Sequence, residues 1–348
     1  MSKKYNVAIM GATGAVGQVM MEILAERDFP LGELRLLASS RSVGRELDYA
    51  GEKVQVQELD ANSFADIDIV LASAGGALSK QFNPHAVAAG AVVVDNTSAY
   101  RMDPQVPLVV PEINPEDLAE HQGIIANPNC STIIMDVVVW PLYQRRKVKR
   151  IVVSTYQAVS GAGARAMEEL ELQTRQVLAG EDIKPTELPH QIAFNLFSHN
   201  SDIGPEGYCE EEIKMIRETH KMFHDEQLQV TATTIRVPVM RAHSEAINLE
   251  FSEAFSAEEA REVLAEAPGV RIVDETEQSH FPMPIEASGI DDVLVGRIRQ
   301  DISRPDGTGL DLWVSGDQLR KGAALNAVQI AEALIAEDRL KRPQRLQG

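Results

Sequence analysis

The first 130 residues alternate between short apolar runs, which are typical of buried strands, and segments in which apolar positions recur at helical spacing. Tyr5–Met10 is the first apolar run, and a helical pattern follows it up to Asp28. Further strand-like runs are Leu34–Ala38, Asp68–Ser73, Ala91–Asn96 and Gly123–Ala126, and Lys53–Leu59 alternates as a possible edge strand. This order predicts a doubly wound, mostly parallel, Rossmann-like α/β sheet.

The pattern changes after Lys147. Several strand-like segments now alternate polar and apolar positions, as half-covered antiparallel strands do; they include Ile151–Val159, Gln229–Val237, Ala246–Phe251, Val293–Ile298 and Leu310–Val314. Helical spacing covers Ala166–Leu178, Glu210–Phe223 and the C-terminal stretch of about 318–340, whereas Pro185–Gly207 is irregular and rich in Pro, His and Asn. We therefore predict a second, α+β domain, with Pro185–Gly207 as an arm, lid or subunit contact.

Composition and net charge exclude several classes of function. The 348 residues, 44% hydrophobic and 24% charged, are enough for two globular domains. A net charge of −19 argues against nucleic acid or an anionic membrane surface as partner, and no apolar run is long enough to span a bilayer. Two cysteines and an N-terminus without an apolar signal core predict a cytoplasmic protein.

A glycine turn, Gly11-Ala12-Thr13-Gly14-Ala15-Val16-Gly17, lies between the first strand and the first helix. Its glycines permit a tight turn and a close approach of the backbone to a pyrophosphate, which then rests on the helix N-terminus. In this context the motif predicts dinucleotide binding through Gly11, Thr13, Gly14, Ala15 and Val16.

The loop after the second predicted strand indicates which dinucleotide binds. A carboxylate there would bind the ribose 2′-hydroxyl of NAD, but this chain has Ser39-Ser40-Arg41-Ser42. Hydroxyls and a guanidinium suit a 2′-phosphate, so we predict NADP, held in part by Arg41 and Ser42. The alternative is a solvated loop arginine.

Ligands of such sheets gather at the carboxyl ends of the strands. We therefore expect Gly11–Gly17, Ser39–Ser42, Ser73–Gly76, Asn96–Arg101 and Asn127–Cys130 to line one crevice. In a chain this acidic, individual cations at such an end are informative. Arg101 is a candidate anion anchor, and the alternative is a surface ion pair.

The segment Asn127-Pro128-Asn129-Cys130-Ser131-Thr132 joins a predicted strand to the apolar helical run Thr132–Trp140. It places Cys130 at or just before a helix N-terminus, where the positive end of the helix dipole favours a thiolate. Cys130 is therefore a candidate nucleophile. The alternative is a buried cysteine that serves as a small apolar side chain.

A cysteine nucleophile needs an acid or base partner, and eight histidines compete for that role. His243, in a predicted loop that also carries two arginines, is favoured only modestly by its position. His220 and His224 share a helix face, but no other metal ligands accompany them, so we predict no metal site. Glu211 and Lys214, three residues apart, share a face as well.

Taken together, these motifs resemble the aspartate-semialdehyde dehydrogenase family. The resemblance rests on Asn127–Thr132, the glycine turn, the spacing of Arg236 and His243, and Gly316–Ala323, and it extends over nearly the whole chain. Acetylglutamyl-phosphate reductases typically have Asn-Pro-Gly-Cys at the nucleophile, so Asn129 favours the aspartate enzymes.

The resemblance implies a role for each matching position. Cys130 is then the nucleophile, His243 the acid/base and Gln157 an orienting residue. Arg236 binds the substrate carboxylate, Glu211 the amino group (with Glu210 and Glu212 as adjacent alternatives), and Lys214, Arg101 and Asn129 the phosphate. Residues implied to line NADP are Gly11, Thr13, Gly14, Ala15, Val16, Arg41, Ser42, Ser160, Gly161 and Gln318.

The implied reaction is the reversible, NADPH-dependent reduction of aspartyl 4-phosphate to aspartate 4-semialdehyde and phosphate, in aspartate-family amino-acid and diaminopimelate biosynthesis. The implied organisation is an NADP domain at 1–130, completed by the helix at about 318–340, a catalytic and dimerisation domain at 131–317, and a homodimer. The alternatives are another acyl-phosphate reductase, such as the N-acetyl-gamma-glutamyl-phosphate enzyme, or a catalytically silent NADP-binding homologue.

Overall fold

The computed structural model describes residues 3–340, and the chain divides into two compact units. The first unit contains the residues up to Asn129 together with those from Ala323 onward, and the second unit is Cys130–Gly322. The first is therefore built from two separate stretches of sequence, and the second from one.

The first unit contains a seven-stranded sheet in the order β3-β4-β2-β1-β5-β6-β7. Every neighbouring pair is parallel except β3 with β4. The strands are β1 (Tyr5–Met10), β2 (Leu31–Ala38), β3 (Glu46–Tyr49), β4 (Glu52–Glu58), β5 (Ile69–Ala72), β6 (Val92–Asp95) and β7 (Ile124–Ala126), and the helices are α1 (Ala15–Glu26), α2 (Gly76–Ala89) and α8 (Leu325–Ala336).

The outer strands differ from the sequence prediction, because β3 was not foreseen and lies outside β4. The strand predicted as an edge, Lys53–Leu59, is therefore an inner strand. Ala50 and Gly51 join β3 to β4 with φ of 52° and 86°, which is the positive pair that a tight hairpin turn requires. With only four residues and mixed polarity, β3 gives too weak a periodic signal to be recognised on its own.

Helix α8 completes the first unit. Asn326 donates from Nδ2 to Asn127 Oδ1 (2.6 Å) and to the carbonyl of Val109 (3.0 Å), and both bonds are buried. Nearer its C-terminal end, Glu332 accepts two hydrogen bonds from the guanidinium of Arg27, at 2.8 and 2.7 Å. Unpaired amides in a buried position are costly, so these contacts fix the position of α8 within this unit.

The second unit contains a mixed seven-stranded sheet in the order β12-β13-β14-β11-β8-β10-β9. β8 with β10 and β12 with β13 are parallel pairs, and the others are antiparallel. The strands are β8 (Val148–Gln157), β9 (Phe197–Ser198), β10 (Gln229–Arg236), β11 (His243–Phe251), β12 (Val270–Ile272), β13 (Val293–Gln300) and β14 (Gly309–Gly316), and the helices are α3 (Cys130–Arg145), α4 (Ala164–Ala179), α5 (Glu210–Phe223), α6 (Ala257–Ala265) and α7 (Pro284–Ala287).

Helix α3 is buried on nearly all sides, and it shares a buried acidic pair with β11. Asp136 of α3 accepts a hydrogen bond from the Thr219 hydroxyl at 2.9 Å, whereas neither carboxylate oxygen of Glu245 on β11 has a hydrogen-bond partner. Burial raises the pKa of both carboxyls well above the usual range, and for Glu245 the nearby Asp136 adds to the rise. Burial therefore favours the protonated form of both groups.

The predicted C-terminal helix at about 318–340 is too long. The α-helix covers only Leu325–Ala336, and a π-helical turn, Arg320–Ala324, precedes it. The carboxylate of Asp317 accepts from the N–H groups of Leu319 and Arg320, and its carbonyl accepts from Gly322, so local capping replaces the regular helical pattern. The periodicity of apolar residues did not reveal this change.

Candidate active site

The glycine turn forms a bend that has no room for a side chain at Gly11 or at Gly17. Gly11 has a φ of +92°, and a Cβ atom there would lie 2.7 Å from the carbonyl oxygen of Ser73. A Cβ on Gly17 would lie 2.5 Å from the carbonyl oxygen of Gly11. Helix α1 begins at Ala15, so its unpaired N–H groups belong to this same turn. A tight glycine turn at a helix N-terminus suits the close approach of a pyrophosphate.

The loop after β2 is a 3-10 turn, Ser40–Ser42, closed by a hydrogen bond from the N–H of Ser42 to the carbonyl of Ser39 at 2.9 Å. Arg41 is exposed and Ser42 partly exposed. β2 is parallel to β1, so this loop follows a carboxyl end at the same edge of the sheet as the glycine turn. No carboxylate occurs within residues 39–45.

Arg101 is buried between the ends of two neighbouring strands. Its Nε donates to the carbonyl of Asn127 at 2.9 Å, and its Nη2 donates to the carbonyl of Asn96 at 2.8 Å. Asn96 and Asn127 are themselves joined by a 2.7 Å side-chain hydrogen bond. The guanidinium is thus rigidly held beside the stretch that leads to Asn129, which is also buried.

In the second unit, α3 begins at Cys130, and the Sγ atom lies 3.6 Å from Nε2 of His243. The thiol is partly exposed, whereas Cys209 is buried. Gly322 packs against Cys130 so closely that a Cβ there would lie 2.9 Å from the Cβ of the cysteine. Cys130 therefore has a helix N-terminus, an imidazole and a closely packed backbone segment around it.

His243 is the first residue of β11, so the expectation that it lies in a loop is wrong. The N–H of Ala158 donates to its Nδ1 at 3.0 Å, and a backbone N–H can only donate. Nδ1 is therefore the acceptor, and the proton of the neutral ring is on Nε2, facing the sulfur. Burial, and next the guanidinium of Arg236, lower the pKa of His243 to about 3.

Arg236 ends β10, directly paired with Gln157 at the end of β8. Its Nη1 donates to the carbonyl of Ala158 and its Nη2 to Nε2 of His199, both at 2.8 Å. A Cβ on Gly161 would lie 3.1 Å from His243 Nε2 and 3.3 Å from Arg236 Nη1. Gly161 therefore leaves the space over both groups open.

The three adjacent acids at the start of α5 have different environments. Glu210 is exposed, and Glu212 accepts from the backbone N–H groups of Cys209 and Thr234, which makes it a capping residue. Glu211 is buried, accepts from Gln157 Nε2 at 3.2 Å and pairs with Lys214 at 3.3 Å. Glu210 also lies 3.9 Å from Lys214, but of the three acids Glu211 is the one that contacts Gln157.

Ser160 and Gln318, two candidate cofactor residues of the second unit, contact each other. Gln318 Oε1 accepts from the backbone N–H of Ala242 at 2.8 Å, next to His243, and its Nε2 donates to the Ser160 hydroxyl. This links the turn after β8 to the segment after β14. The sequence separation of these segments explains why no local pattern predicted the contact.

The structure thus distributes the candidate residues over the two units. Those in the first unit are Gly11, Thr13, Gly14, Ala15, Val16, Arg41, Ser42, Arg101 and Asn129, and those in the second are Cys130, Gln157, Ser160, Gly161, Glu211, Lys214, Arg236, His243 and Gln318. Sequence reasoning missed Gly322 and His199. Gly322 was visible only as part of Gly316–Ala323, and His199 only as one of several polar residues in the irregular arm.

Among residues 3–340, no three His, Cys, Asp or Glu side chains are grouped as metal ligands. In the same range, no helix is both long enough and apolar enough to cross a membrane.

Comparison with known proteins identifies the family. The model of the semialdehyde dehydrogenase NAD binding domain matches residues 6–121, and that of the semialdehyde dehydrogenase dimerisation domain matches residues 139–321. An aspartate-semialdehyde dehydrogenase from Synechocystis sp. is 58% identical over 335 residues, which cover 96% of this chain and 98% of that protein. The chain belongs to the aspartate-semialdehyde dehydrogenase family.

Solved structures of aspartate-semialdehyde dehydrogenases agree with this assignment. Enzyme II from Vibrio cholerae, complexed with ASA, is 46% identical with a TM-score of 0.94, over 97% of this chain and 99% of that one. A more distant aspartate-semialdehyde dehydrogenase, from Candida albicans with NADP, is 25% identical with a TM-score of 0.76, over 97% and 99%.

Several sequence predictions are thereby confirmed. They are the aspartate-semialdehyde dehydrogenase family, an oxidoreductase of amino-acid biosynthesis, and the fold of a Rossmann-like domain with a second α/β domain. The presence of a nicotinamide-cofactor domain is confirmed as well. The choice of the aspartate enzymes over acetylglutamyl-phosphate reductases, made on Asn129, agrees with the names of these relatives.

Proposed function

We propose that this enzyme reduces aspartyl 4-phosphate to aspartate 4-semialdehyde and phosphate, reversibly and with NADPH. The observation that carries the proposal is the 3.6 Å contact between Cys130 Sγ, at the start of α3, and Nε2 of a neutral His243. Membership of the aspartate-semialdehyde dehydrogenase family, at 58% identity to one member, supports the substrate.

Cys130 forms the covalent intermediate. The thiolate, favoured by the helix N-terminus, attacks the acyl carbon of aspartyl 4-phosphate. The bond from that carbon to the phosphate oxygen breaks, and the leaving phosphate takes up a proton from solvent. A thioester on Cys130 remains. NADPH, when bound, supplies the hydride that reduces it. The resulting oxyanion then re-forms a carbonyl, the carbon–sulfur bond breaks, and Cys130 leaves as thiolate.

In this proposal His243 assists as a neutral hydrogen-bond donor, instead of in the acid/base role that the family resemblance implies. The N–H of Ala158 occupies Nδ1, so the ring proton is on Nε2. The Nε2–H can donate first to the Cys130 thiolate and later to the oxyanion that forms when the thioester is reduced. Neither step requires the ring to carry a charge, which agrees with its pKa of about 3. Expulsion of a thiolate from an oxyanion needs no net proton, so a positioned donor is sufficient.

The remaining side chains hold the substrate. Arg236 binds the α-carboxylate, for which its planar fork is suited, and Glu211 binds the α-amino group. Gln157, which donates to Glu211, orients the substrate beside the thiol. Lys214, Arg101 and Asn129 are assigned to phosphate.

NADP is the preferred cofactor in this proposal. Gly11, Thr13, Gly14, Ala15 and Val16 provide the backbone turn, and Arg41 with Ser42 provides the charge and hydroxyl for a 2′-phosphate. Ser160, Gly161 and Gln318 are assigned to the cofactor as well. The Candida albicans relative is described with NADP, which supports the preference.

The proposed assembly is a homodimer, and the match of residues 139–321 to the dimerisation-domain family supports it. Exposed apolar side chains in this unit support a subunit contact; they include Leu172, Leu178, Phe194, Leu196 and Ile203. Size-exclusion chromatography with light scattering tests the assembly. A cytoplasmic location, suggested by the two-cysteine composition, stays a prediction.

The function is tested by phosphate-dependent reduction of NADP with aspartate semialdehyde. N-acetylglutamate semialdehyde and glyceraldehyde 3-phosphate serve as controls, and we expect turnover with the aspartate aldehyde alone. A silent homologue would bind NADP without turnover of any of the three. Faster turnover of a control aldehyde would assign the enzyme to another acyl-phosphate reductase activity.

A further inference from the structure

The irregular arm between α4 and α5 is firmly anchored. The buried carboxylate of Glu169 on α4 accepts three backbone N–H groups, those of Thr186, Glu187 and Leu188, at 2.6 to 3.1 Å. Further along the arm, Gln173 of α4 accepts from the N–H of Ile192 at 2.8 Å. A buried acceptor with several backbone donors fixes the path of a loop that has no regular structure.

Within the arm, the short strand β9 lies beside Arg236. In the β9–β10 pair, Phe197 lies opposite Arg236 and Ser198 opposite Ile235. The next residue, His199, donates its N–H to the carbonyl of Thr234 at 2.8 Å. Backbone pairing thus sets the position of the His199 ring before any side-chain contact is considered.

The bond from Arg236 defines the protonation state of His199. Nη2 of Arg236 lies 2.8 Å from Nε2 of His199, and a guanidinium has donors but no acceptor. Nε2 therefore accepts this bond. Two groups of Ser201 lie at Nδ1, the hydroxyl at 3.1 Å and the backbone N–H at 3.3 Å. Because the charge-assisted bond at Nε2 is the shorter one, we assign the ring proton to Nδ1, with the Ser201 hydroxyl as its acceptor.

Ser201 connects His199 to a second candidate substrate residue. Its hydroxyl oxygen also accepts from the backbone N–H of Glu211 at 3.2 Å. Arg236, His199, Ser201 and Glu211 therefore form one continuous chain of hydrogen bonds. The two ends of this chain are the residues assigned to the carboxylate and the amino group of the substrate.

The surrounding charges favour neutral His199. Burial lowers its pKa to about 4; Glu211 and Glu212 on α5 oppose the shift, whereas Arg236 and Lys214 favour it. His243 on β11 is a further titratable neighbour, itself neutral above about pH 3. A protonated His199 would lose its acceptor and face a guanidinium with a like charge.

We propose that His199 is a positioning residue for recognition of the substrate's α-amino acid group, and that the arm delivers its neutral ring to Arg236. The inference rests on the carboxylate-binding role of Arg236 in the proposed function. His199 holds the guanidinium by its Nη2 edge and, through Ser201, holds the start of α5. It thereby fixes the spacing between the two charged groups that bind the amino acid.

Steady-state kinetics of three variants test the role. His199→Leu removes the acceptor, and we expect KM for aspartate semialdehyde to rise about 10- to 100-fold, since a hydrogen bond to a charged group is lost. KM for phosphate should change less than about 2-fold, because the two binding functions are separate. His199→Gln retains an acceptor oxygen near Nε2 and should restore most of the loss. His190→Gln, an exposed histidine of the same arm, is the matched control and should behave as wild type.

Three results would each overturn the positioning role. They are an unchanged KM for aspartate semialdehyde in His199→Leu, an equal rise in KM for both substrates, and a rise in His199→Gln as large as that in His199→Leu. Thermal unfolding of all variants separates a local effect from a misfolded arm. If His199→Leu does not fold, the comparison of His199→Gln with wild type and with His190→Gln decides.

A measurement independent of turnover completes the test. Histidine ¹⁵N NMR of the wild-type protein, with His199 assigned by its loss in His199→Gln, should show the neutral Nδ1–H form at pH 7. A charged ring, or a proton on Nε2, would overturn the inference. If wild type lacks aspartate-semialdehyde turnover but shows this tautomer, the proposed function fails while the contact with Arg236 stands.

Discussion

The candidate cofactor turn of the first unit is made of backbone, whereas the candidate catalytic site of the second is made of side chains. Gly11 and Gly17 leave no room for a Cβ, and the turn they form spans seven consecutive residues. Cys130 and His243 come from α3 and β11, and 113 positions separate them. A backbone site can therefore be encoded locally, while a side-chain site depends on the pairing of distant strands.

Removal of the Cys130 thiol should give the largest difference in effect between these two sites. In Cys130→Ala, we expect turnover to fall roughly 10⁴-fold or more, because no other group can form the thioester. Affinity for NADP, measured by fluorescence titration or calorimetry, should stay within about 2-fold, since the glycine turn is untouched.

The second cysteine provides the control for the nucleophile. Iodoacetamide should alkylate partly exposed Cys130 faster than buried Cys209, and Cys209→Ala should retain activity. Preferential labelling of Cys209, or an active Cys130→Ala enzyme, would remove the basis of the proposed mechanism.

Loss of His243 should have the next largest effect. His243→Ala removes the Nε2–H donor, and turnover should fall about 10²- to 10⁴-fold while acylation stays detectable. The pKa of His243 is lowered to about 3, so the ring is already neutral above that pH. The wild-type rate should therefore show no histidine ionisation between about pH 5 and 8, where an ordinary histidine titrates. A rate that follows a pKa near 6.5 and loses this dependence in His243→Ala would contradict the neutral-donor role.

Substitution of Arg41 tests the candidate cofactor site of the first unit. Arg41→Ala removes a charge-assisted hydrogen bond to a 2′-phosphate, which is worth about 10- to 150-fold in NADP binding. Affinity for NAD should change little. The ratio of the two dissociation constants is the measurement, with Arg45→Ala as a nearby control outside the 3-10 turn. An unchanged ratio, or equal use of both cofactors by wild type, would show that this loop does not select the cofactor.

A single methyl group should disturb the catalytic site of the second unit. In Gly161→Ala, the new methyl lies 3.1 Å from His243 Nε2 and 3.3 Å from Arg236 Nη1. We expect kcat/KM to fall about 10-fold or more, because small displacements of reacting groups are costly. Ala162→Ser, an addition of one atom at the next and exposed position, should be close to neutral. Wild-type kinetics in Gly161→Ala would mean that these groups have more freedom than the structure indicates.

The smallest expected effect concerns the two buried carboxyls, Glu245 on β11 and Asp136 on α3. The pKa of Glu245 is raised well above 4.5, so the folded state binds its proton more tightly than the unfolded state. Stability contributed by this group is therefore present at low pH and lost as pH rises from about 4.5 toward the raised value. Glu245→Gln should be at least as stable as wild type at pH 7, and its free energy of unfolding should depend less on pH. Urea unfolding measures both. A steeper loss of stability with pH in the variant would contradict a protonated Glu245.

Sequence reasoning did best where a signal was local. The glycine turn, its flanking strand and helix, and the helix start at Cys130 each depend on fewer than about 20 neighbouring residues, which is the range over which periodicity and capping act. Arg41 and Arg101 could be singled out because they follow predicted strands. Their contacts could not be predicted, since Arg101 is held by carbonyls from two other strand ends.

The second unit shows what local reasoning cannot reach. Chemistry alone favoured His243 only modestly among eight histidines, because the choice depends on the pairing of β11 with β8. Resemblance to a family supplied that choice. It did not supply the tautomer, which depends on the N–H of Ala158, nor the contact of His199 with Arg236. Both are products of tertiary structure rather than of any motif.

The return of α8 to the first unit has a consequence for the order of folding during synthesis. A ribosome releases β1 to β7 first, but Leu325–Ala336 emerges only after the whole of Cys130–Gly322. At about 5–20 residues per second, that interval is on the order of 10 to 40 s. The parallel sheet must wait this long with one helix missing, whereas the second unit is contiguous and can mature beforehand. Nascent chains arrested when Gly322 has just emerged from the ribosome should therefore resist protease over the second unit before the first.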